Sequence, residues 1–306
     1  MSKTNKTETA VEAEVEVPAA GPADAVALVF PGQGSQRSGM RDVVEQEIPD
    51  LLEDAAKRLG ADPIESIKEG TAFQQPALYL AAIAGWRAAG EPSADFITGH
   101  SLGEVAAAAA AGAISVEDGL ALSIARGRSM QDAAAAEPGG MLAVLGDLEG
   151  AGALAASLGL TVANDNAPGQ VVLSGPRDEI DAARPKFKQA GLKTIRLPID
   201  GAFHSPAMRS AIPGFRAALE AVEVHQPRTT LFSSITAQPF DDLREGLLSA
   251  LTRPVRWRET VIELNDRGVG RFIESGPGEV LCGLIKRTLD GVEAVPLGSE
   301  LSGSHA

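Results

Sequence analysis

Phe96-Ile97-Thr98-Gly99-His100-Ser101-Leu102-Gly103-Glu104 is the stretch on which the fold turns. Three aromatic or β-branched residues, the texture of a buried strand, run straight into a Gly-x-Ser-x-Gly turn. An alanine-rich helix follows, ending near Gly112. A serine in such a turn has a strained backbone, and the flanking glycines let strand and helix close without a Cβ clash. The hydroxyl is lifted clear of the sheet, and the helix N-terminus points its unpaired N–H groups at it. The plainer reading is a Gly-rich turn with an ordinary capping serine. The elbow therefore needs support from the rest of the chain.

Upstream, Val26-Ala27-Leu28-Val29-Phe30 reads as a strand buried on both faces, ending in the turn Pro31-Gly32-Gln33-Gly34-Ser35-Gln36. Leu51, Leu52, Ala55, Ala56 and Leu59 keep helical spacing up to Gly60, and a second helix is expected from about Pro76 to Ala89. Ser115 caps a further helix that carries Arg126 and Arg128. Between 139 and 198 four short strands and two helices follow the order of a split βαβ unit. Strand and helix then alternate to about residue 299. The expected fold is α/β: an α/β-hydrolase-like core with a mostly parallel sheet (25–138 and 199–299) and an inserted small ferredoxin-like α+β subdomain (139–198). Residues 1–24 read as a disordered acidic leader and 300–306 as a flexible tail.

The 306 residues carry a net charge of −14, which repels phosphate backbones and anionic lipid; neither nucleic acid nor membrane is expected as a partner. No stretch is apolar for long enough to span a bilayer, and no apolar signal core is visible, so the cytoplasm is expected. The single cysteine, Cys282, sits in an apolar helical run and reads as a core residue. A monomer and no metal are expected.

A serine nucleophile needs a base, and the chain has four histidines. His305 is in the tail, and His225 sits among Glu223, Gln226 and Pro227 in a surface connection. His100 adjoins the serine, so its side chain leaves by the opposite face and braces the elbow. Elimination leaves His204, in Gly201-Ala202-Phe203-His204-Ser205-Pro206. Asp165, Asp178 and Asp200 are possible orienting acids, none marked by its context.

Taken in order, these motifs resemble the malonyl-CoA:acyl-carrier-protein transacylases of fatty-acid synthesis and the related acyltransferase domains of polyketide synthases. The series runs through Pro31–Gln36, Gln75-Pro76-Ala77, Gly99–Glu104, Arg126-Gly127 with Met130, and Asn164 and Asn166 before Pro168–Val172. Ala202-Phe203-His204, Pro254-Val255-Arg256-Trp257 and Glu274-Ser275-Gly276-Pro277-Gly278 complete it. The resemblance implies Ser101 as nucleophile, His204 as base, and the backbone N–H groups of Gln33 and Leu102 as oxyanion hole. It implies the Arg256 carbonyl as the group that orients the histidine, Arg126 as the anchor of the substrate carboxylate, and a pocket including Phe203, Asn164, Asn166 and His100. It further implies malonyl-CoA as donor, the phosphopantetheine of an acyl carrier protein as acceptor, and no bound cofactor.

An acidic carrier needs a basic patch on this acidic chain. Arg184, Lys186, Lys188, Lys193 and Arg196 are the candidates, and they read equally as a solvated helix face. Three rivals remain open at this level: a free-standing acyltransferase serving a polyketide synthase, a serine esterase or thioesterase, and a catalytically silent carrier-protein scaffold.

Overall fold

A computed structural model describes residues 24–297. The segments read as leader and tail, His305 included, lie outside these residues apart from Asp24. From β1 (Ala25–Phe30) the chain passes through α1 (Met40–Glu47), α2 (Pro49–Leu59) and α3 (Thr71–Ala88) to β2 (Phe96–Gly99). It turns at once into α4 (Gly103–Ala110) and α5 (Val116–Ala136). Next come β3 (Gly139–Leu145), α6 (Ala151–Ser157), β4 (Thr161–Ala167), β5 (Gln170–Pro176), α7 (Arg177–Gln189) and β6 (Lys193–Arg196). The return path is α8 (Ile212–Glu220), β7 (Thr230–Ser233), β8 (Gln238–Pro239) and α9 (Leu243–Ser249). It closes with α10 (Trp257–Asp266), β9 (Val269–Glu274), α11 (Val280–Thr288) and β10 (Glu293–Pro296).

Two sheets result. The larger has the order β10-β9-β1-β2-β7-β8, parallel throughout except for the short β8. The smaller is antiparallel, in the order β4-β5-β3-β6 that a split βαβ unit produces. The α/β class with a mostly parallel sheet and a small α+β unit is thus the observed architecture.

Alternation along β1 explains why its apolar run is continuous. Leu28 and Phe30 face a core built with α3 and α4, while Ala27 and Val29 face a second one with Trp257, Phe272 and Leu281. The small sheet has its own core of Leu142, Val144, Leu173, Ile180 and Phe187. It is hydrogen-bonded to the large body: Asp165 N–H donates to the Val255 carbonyl and Val255 N–H to that of Ala163, both at 2.8 Å. Arg258 clamps the Asp165 carboxylate across the same seam, its Nη2 at 2.7 Å from Oδ2.

One helix starts earlier than its sequence suggested. α3 begins at Thr71, so Pro76 lies inside it. Burial of Thr71, Ala72 and Gln75 ahead of the proline outweighs the single hydrogen bond it removes. Among the described residues no helix is long and apolar enough to cross a membrane.

Parallel pairing of β1 with β2, Phe30 opposite Gly99, sets the turns that follow them side by side at the carboxyl edge of the sheet. The approach is backbone on backbone. A Cβ on Gly99 would lie 2.0 Å from the Gly103 carbonyl carbon, and one on Gly103 2.0 Å from the Phe30 carbonyl oxygen. Gly103→Ala is expected to lose about 3 kcal/mol or more of stability in denaturant unfolding, because no side chain can move aside. Gly152→Ala, in α6 with nothing within 4 Å, is expected to gain ~1 kcal/mol in the same assay.

Candidate active site

Ser101 occupies the turn between β2 and α4 at φ 56°, a left-handed conformation that few side chains adopt. His204 precedes a helical turn at Pro206–Ala211 and is likewise left-handed, at φ 57°. The two side chains meet, with Ser101 Oγ 2.8 Å from His204 Nε2. His204 Nδ1 lies 2.7 Å from the Ala250 carbonyl oxygen at the C-terminal end of α9. That oxygen can only accept, so Nδ1 carries the proton and Nε2 is free to receive the serine's. A carbonyl at a helix C-terminus also favours the positive charge the imidazole would acquire.

The expectation that the Arg256 carbonyl orients His204 is corrected here. That carbonyl accepts the N–H and the hydroxyl of Thr260 in the first turn of α10. Its side chain turns away to Glu259 and the Thr236 carbonyl. The role falls to Ala250, six residues earlier. The candidate acids are committed elsewhere: Asp165 to Arg258, Asp200 to Arg177, while Asp178 is exposed on α7.

Arg126 reaches the serine from α5. It is only 2 % exposed, donates from Nη2 to Ser101 Oγ at 3.2 Å, and from Nη1 to Gln75 Oε1 at 2.8 Å. Gln75, fully buried on α3, is fixed by donating to Thr71 Oγ1 and Met130 Sδ. Among the described residues the backbone N–H groups of Gln33 and Leu102 donate to no protein acceptor. Leu102 precedes α4, and the Gln33 side chain is held by Gln74 Oε1.

The other sequence candidates fall in three places. Phe203 is buried beside His204 and lines a cavity of about 370 Å³ together with Gln33, Gln74, Lys68 and Arg177. His100 leaves on the opposite side of the elbow, its Nε2 2.9 Å from Asn166 Oδ1 and its ring 5.6 Å from that of Trp257. Asn164 bridges to Val255 through its backbone, with its side-chain oxygen buried and unpartnered. His100 and Asn166 thus brace the elbow against the small sheet, while Asn164 lies on the seam with Val255. Arg184, Lys186, Lys188 and Lys193 are exposed on α7 and β6, and none is in an ion pair among the described residues. Arg196 pairs with Asp181 at 2.6 Å.

Burial sets the electrostatics. It pushes His204 down to about 3, helped by the positive charge of Arg126 and by His100, so the imidazole is a neutral acceptor. Arg126 is pushed down to about 10 by the same desolvation, with Glu104 opposing, and stays charged at neutral pH. Glu104, fully buried one turn after the serine, is pushed up to about 7 by burial.

Comparison with known proteins adds an independent line. The acyl transferase domain family matches residues 27–299. The polyketide biosynthesis protein ThaF of Burkholderia thailandensis is 40% identical over 280 residues; the match spans 86% of this chain but 24% of that longer protein. The malonyl CoA-acyl carrier protein transacylase of Bacillus subtilis is 35% identical over 289 residues, covering 86% of this chain and 90% of the relative. Among solved structures, the malonyl-CoA:acyl carrier protein transacylase of Xanthomonas oryzae superposes with TM-score 0.83 at 33% identity, covering 93% and 98% of the two chains.

The depressed basicity of His204 makes a testable statement about pH. Acylation of Ser101 by an uncharged ester such as p-nitrophenyl acetate is expected to keep its rate well below pH ~6.5, the ordinary histidine value. Arg126→Ala removes a charge that disfavours the imidazolium, so the acid limb is expected to move up, as stopped-flow pH profiles would record.

Proposed function

The chain belongs to the malonyl-CoA:acyl-carrier-protein transacylase family of acyl transferases, and from that membership we propose that it moves a malonyl group from coenzyme A to the phosphopantetheine thiol of an acyl carrier protein through an ester on Ser101. The observation that carries the reading is the buried Arg126 guanidinium 3.2 Å from the nucleophile. An esterase handling neutral acyl groups has no use for a buried cation there, and a silent scaffold has no use for a serine–imidazole contact of 2.8 Å.

The cycle follows from the donors and acceptors. The malonyl carboxylate takes the guanidinium fork, and the thioester carbonyl lies between Ser101 and the free N–H groups of Gln33 and Leu102. His204 Nε2 removes the serine proton and Oγ attacks the carbonyl carbon. The oxyanion rests on the two N–H donors, the carbon–sulfur bond breaks, and the thiolate leaves with the proton from His204. The carrier's thiol then gives its proton to His204, its sulfur attacks the ester, and Ser101 recovers the proton. Because Arg126 depresses His204, a carboxylate bound to Arg126 restores basicity to the base. Every proton and charge has a group in this scheme, so it calls for no bound cofactor.

Phe203, buried beside the base, leaves little room for an α-methyl branch, which supports malonyl over methylmalonyl at about 1–3 kcal/mol. The cavity bounded by Lys68 and Arg177 suits the pantetheine arm and phosphates. We assign the enzyme to fatty-acid biosynthesis. The 40% identity to a polyketide biosynthesis protein favours a second reading, service to a polyketide synthase, and relative transfer rates to carrier proteins of the two pathways would separate them. A cytoplasmic monomer fits a chain whose site draws every group from itself and whose single cysteine is buried. Residues 139–198 as an inserted subdomain fit the separate core of the small sheet.

Mixing the protein with malonyl-CoA should add one malonyl group to Ser101 by intact mass, and Ser101→Ala should add none. Arg126→Ala is expected to lower kcat/KM for malonyl-CoA by about two to three orders of magnitude and to relax acceptance of acetyl-CoA. Unchanged malonyl preference would remove Arg126 from the role. For docking, Arg184, Lys186, Lys188 and Lys193 are cations in no ion pair among the described residues, on an exposed face of a chain of net charge −14. Reversing Lys186 and Lys188 to Glu is expected to raise KM for the carrier several-fold and leave that for malonyl-CoA unchanged.

A further inference from the structure

The proposed cycle makes no use of Glu104, a wholly buried carboxylate on the helix behind the nucleophile. Its Oε1 accepts from Ser234 N–H at 2.8 Å and from the Ser234 and Ser233 hydroxyls at 3.1 and 3.2 Å, all at the end of β7. Its Oε2 has no partner among the described residues. Arg126 is the cation that acts on it, yet no ion pair joins the two, since the guanidinium is spent on Gln75 and Ser101. The site therefore holds a buried guanidinium and a buried carboxyl group that do not touch.

We propose that Glu104 is a positioning residue that sets how strongly Arg126 holds an acyl carboxylate, and that loading a malonyl group draws one proton from solvent onto Glu104. This rests on the reading of Arg126 as the malonyl anchor. A malonyl group brings a second carboxylate to one guanidinium that is itself buried, and like charges so placed do not both stay ionised. The incoming carboxylate takes the fork, which Glu104 never touches, so Glu104 is the group that yields. The proton joins its carboxylate, and the serine hydroxyls that donated to it can turn and accept.

The elements packed on α4 are β1, β2, α3, α5 and β7. Arg126 on α5 supplies the charge, β7 the hydroxyls, and α3 the uncharged Gln75. His100 and His204, on the elbow side, are both shifted toward the neutral form by burial. Burial raises Glu104 to about 7. At lower pH it is protonated before substrate arrives, and malonyl binds best. As pH rises through that value a proton must be taken up, and binding weakens.

The test needs no variant to begin. Calorimetry of malonyl-CoA loading in buffers of different ionisation heat is expected to show uptake approaching one proton per Ser101 ester near pH ~8. KM for malonyl-CoA is expected to rise about twentyfold from about pH 6 to about pH 8.5, and KM for acetyl-CoA, which carries the same phosphates, to stay flat. Glu104→Gln should abolish the slope, and Ser234→Ala, with one donor to the carboxylate fewer, should move its midpoint up. Normal malonyl ester formation with a flat KM and no proton uptake overturns the role of Glu104 and leaves the transferase reading intact. No ester at all overturns the transferase reading itself.

Discussion

The rest of the site depends on a contact of main chain with main chain behind Ser101, as close as any glycine contact among the described residues. α4 lies against β1 so tightly that a single methyl group on Gly103 would overlap the Phe30 carbonyl oxygen. That closeness sets the Leu102 N–H, at the start of α4, beside the Gln33 turn that ends β1. It also drives Glu104 into the interior, where the end of β7 must supply its hydrogen bonds. The proposed nucleophile, the proposed oxyanion donors and the buried carboxylate are thus fixed by one packing decision. The remaining groups are brought to it by elements distant in the sequence.

Desolvation then assigns the electrical roles. The same burial that neutralises His204 raises Glu104 and lowers Arg126, so the site at rest holds a neutral imidazole, a charged guanidinium and a carboxyl group that titrates near neutrality. Gln75 keeps the guanidinium beside the serine without neutralising it, which a carboxylate in that place would do. The cation stays available to a substrate anion.

Much of this was legible in the chain. The continuous apolar run of β1, the Gly-x-Ser-x-Gly turn, and the count of four histidines each have a local physical signature. The histidine's orienting group did not, because a carbonyl belongs to every residue and Ala250 differs from Arg256 only in where the chain puts it. Gln75 and Glu104 were visible as polar residues in apolar helices, and each stood within a quoted motif. Their tasks emerge only when α3, α5 and β7 converge. The start of α3 was misjudged because proline is a local signal and burial on both sides of it is not.

Among the described residues four other than glycine adopt positive φ, and two of them are Ser101 and His204. The fold would accept glycine more comfortably at both positions, since glycine enters that region without a steric penalty. Replacing either by glycine would relieve the backbone and remove a group proposed to carry the reaction. Backbone strain at these two positions is thus a stability cost located at the groups assigned to the chemistry.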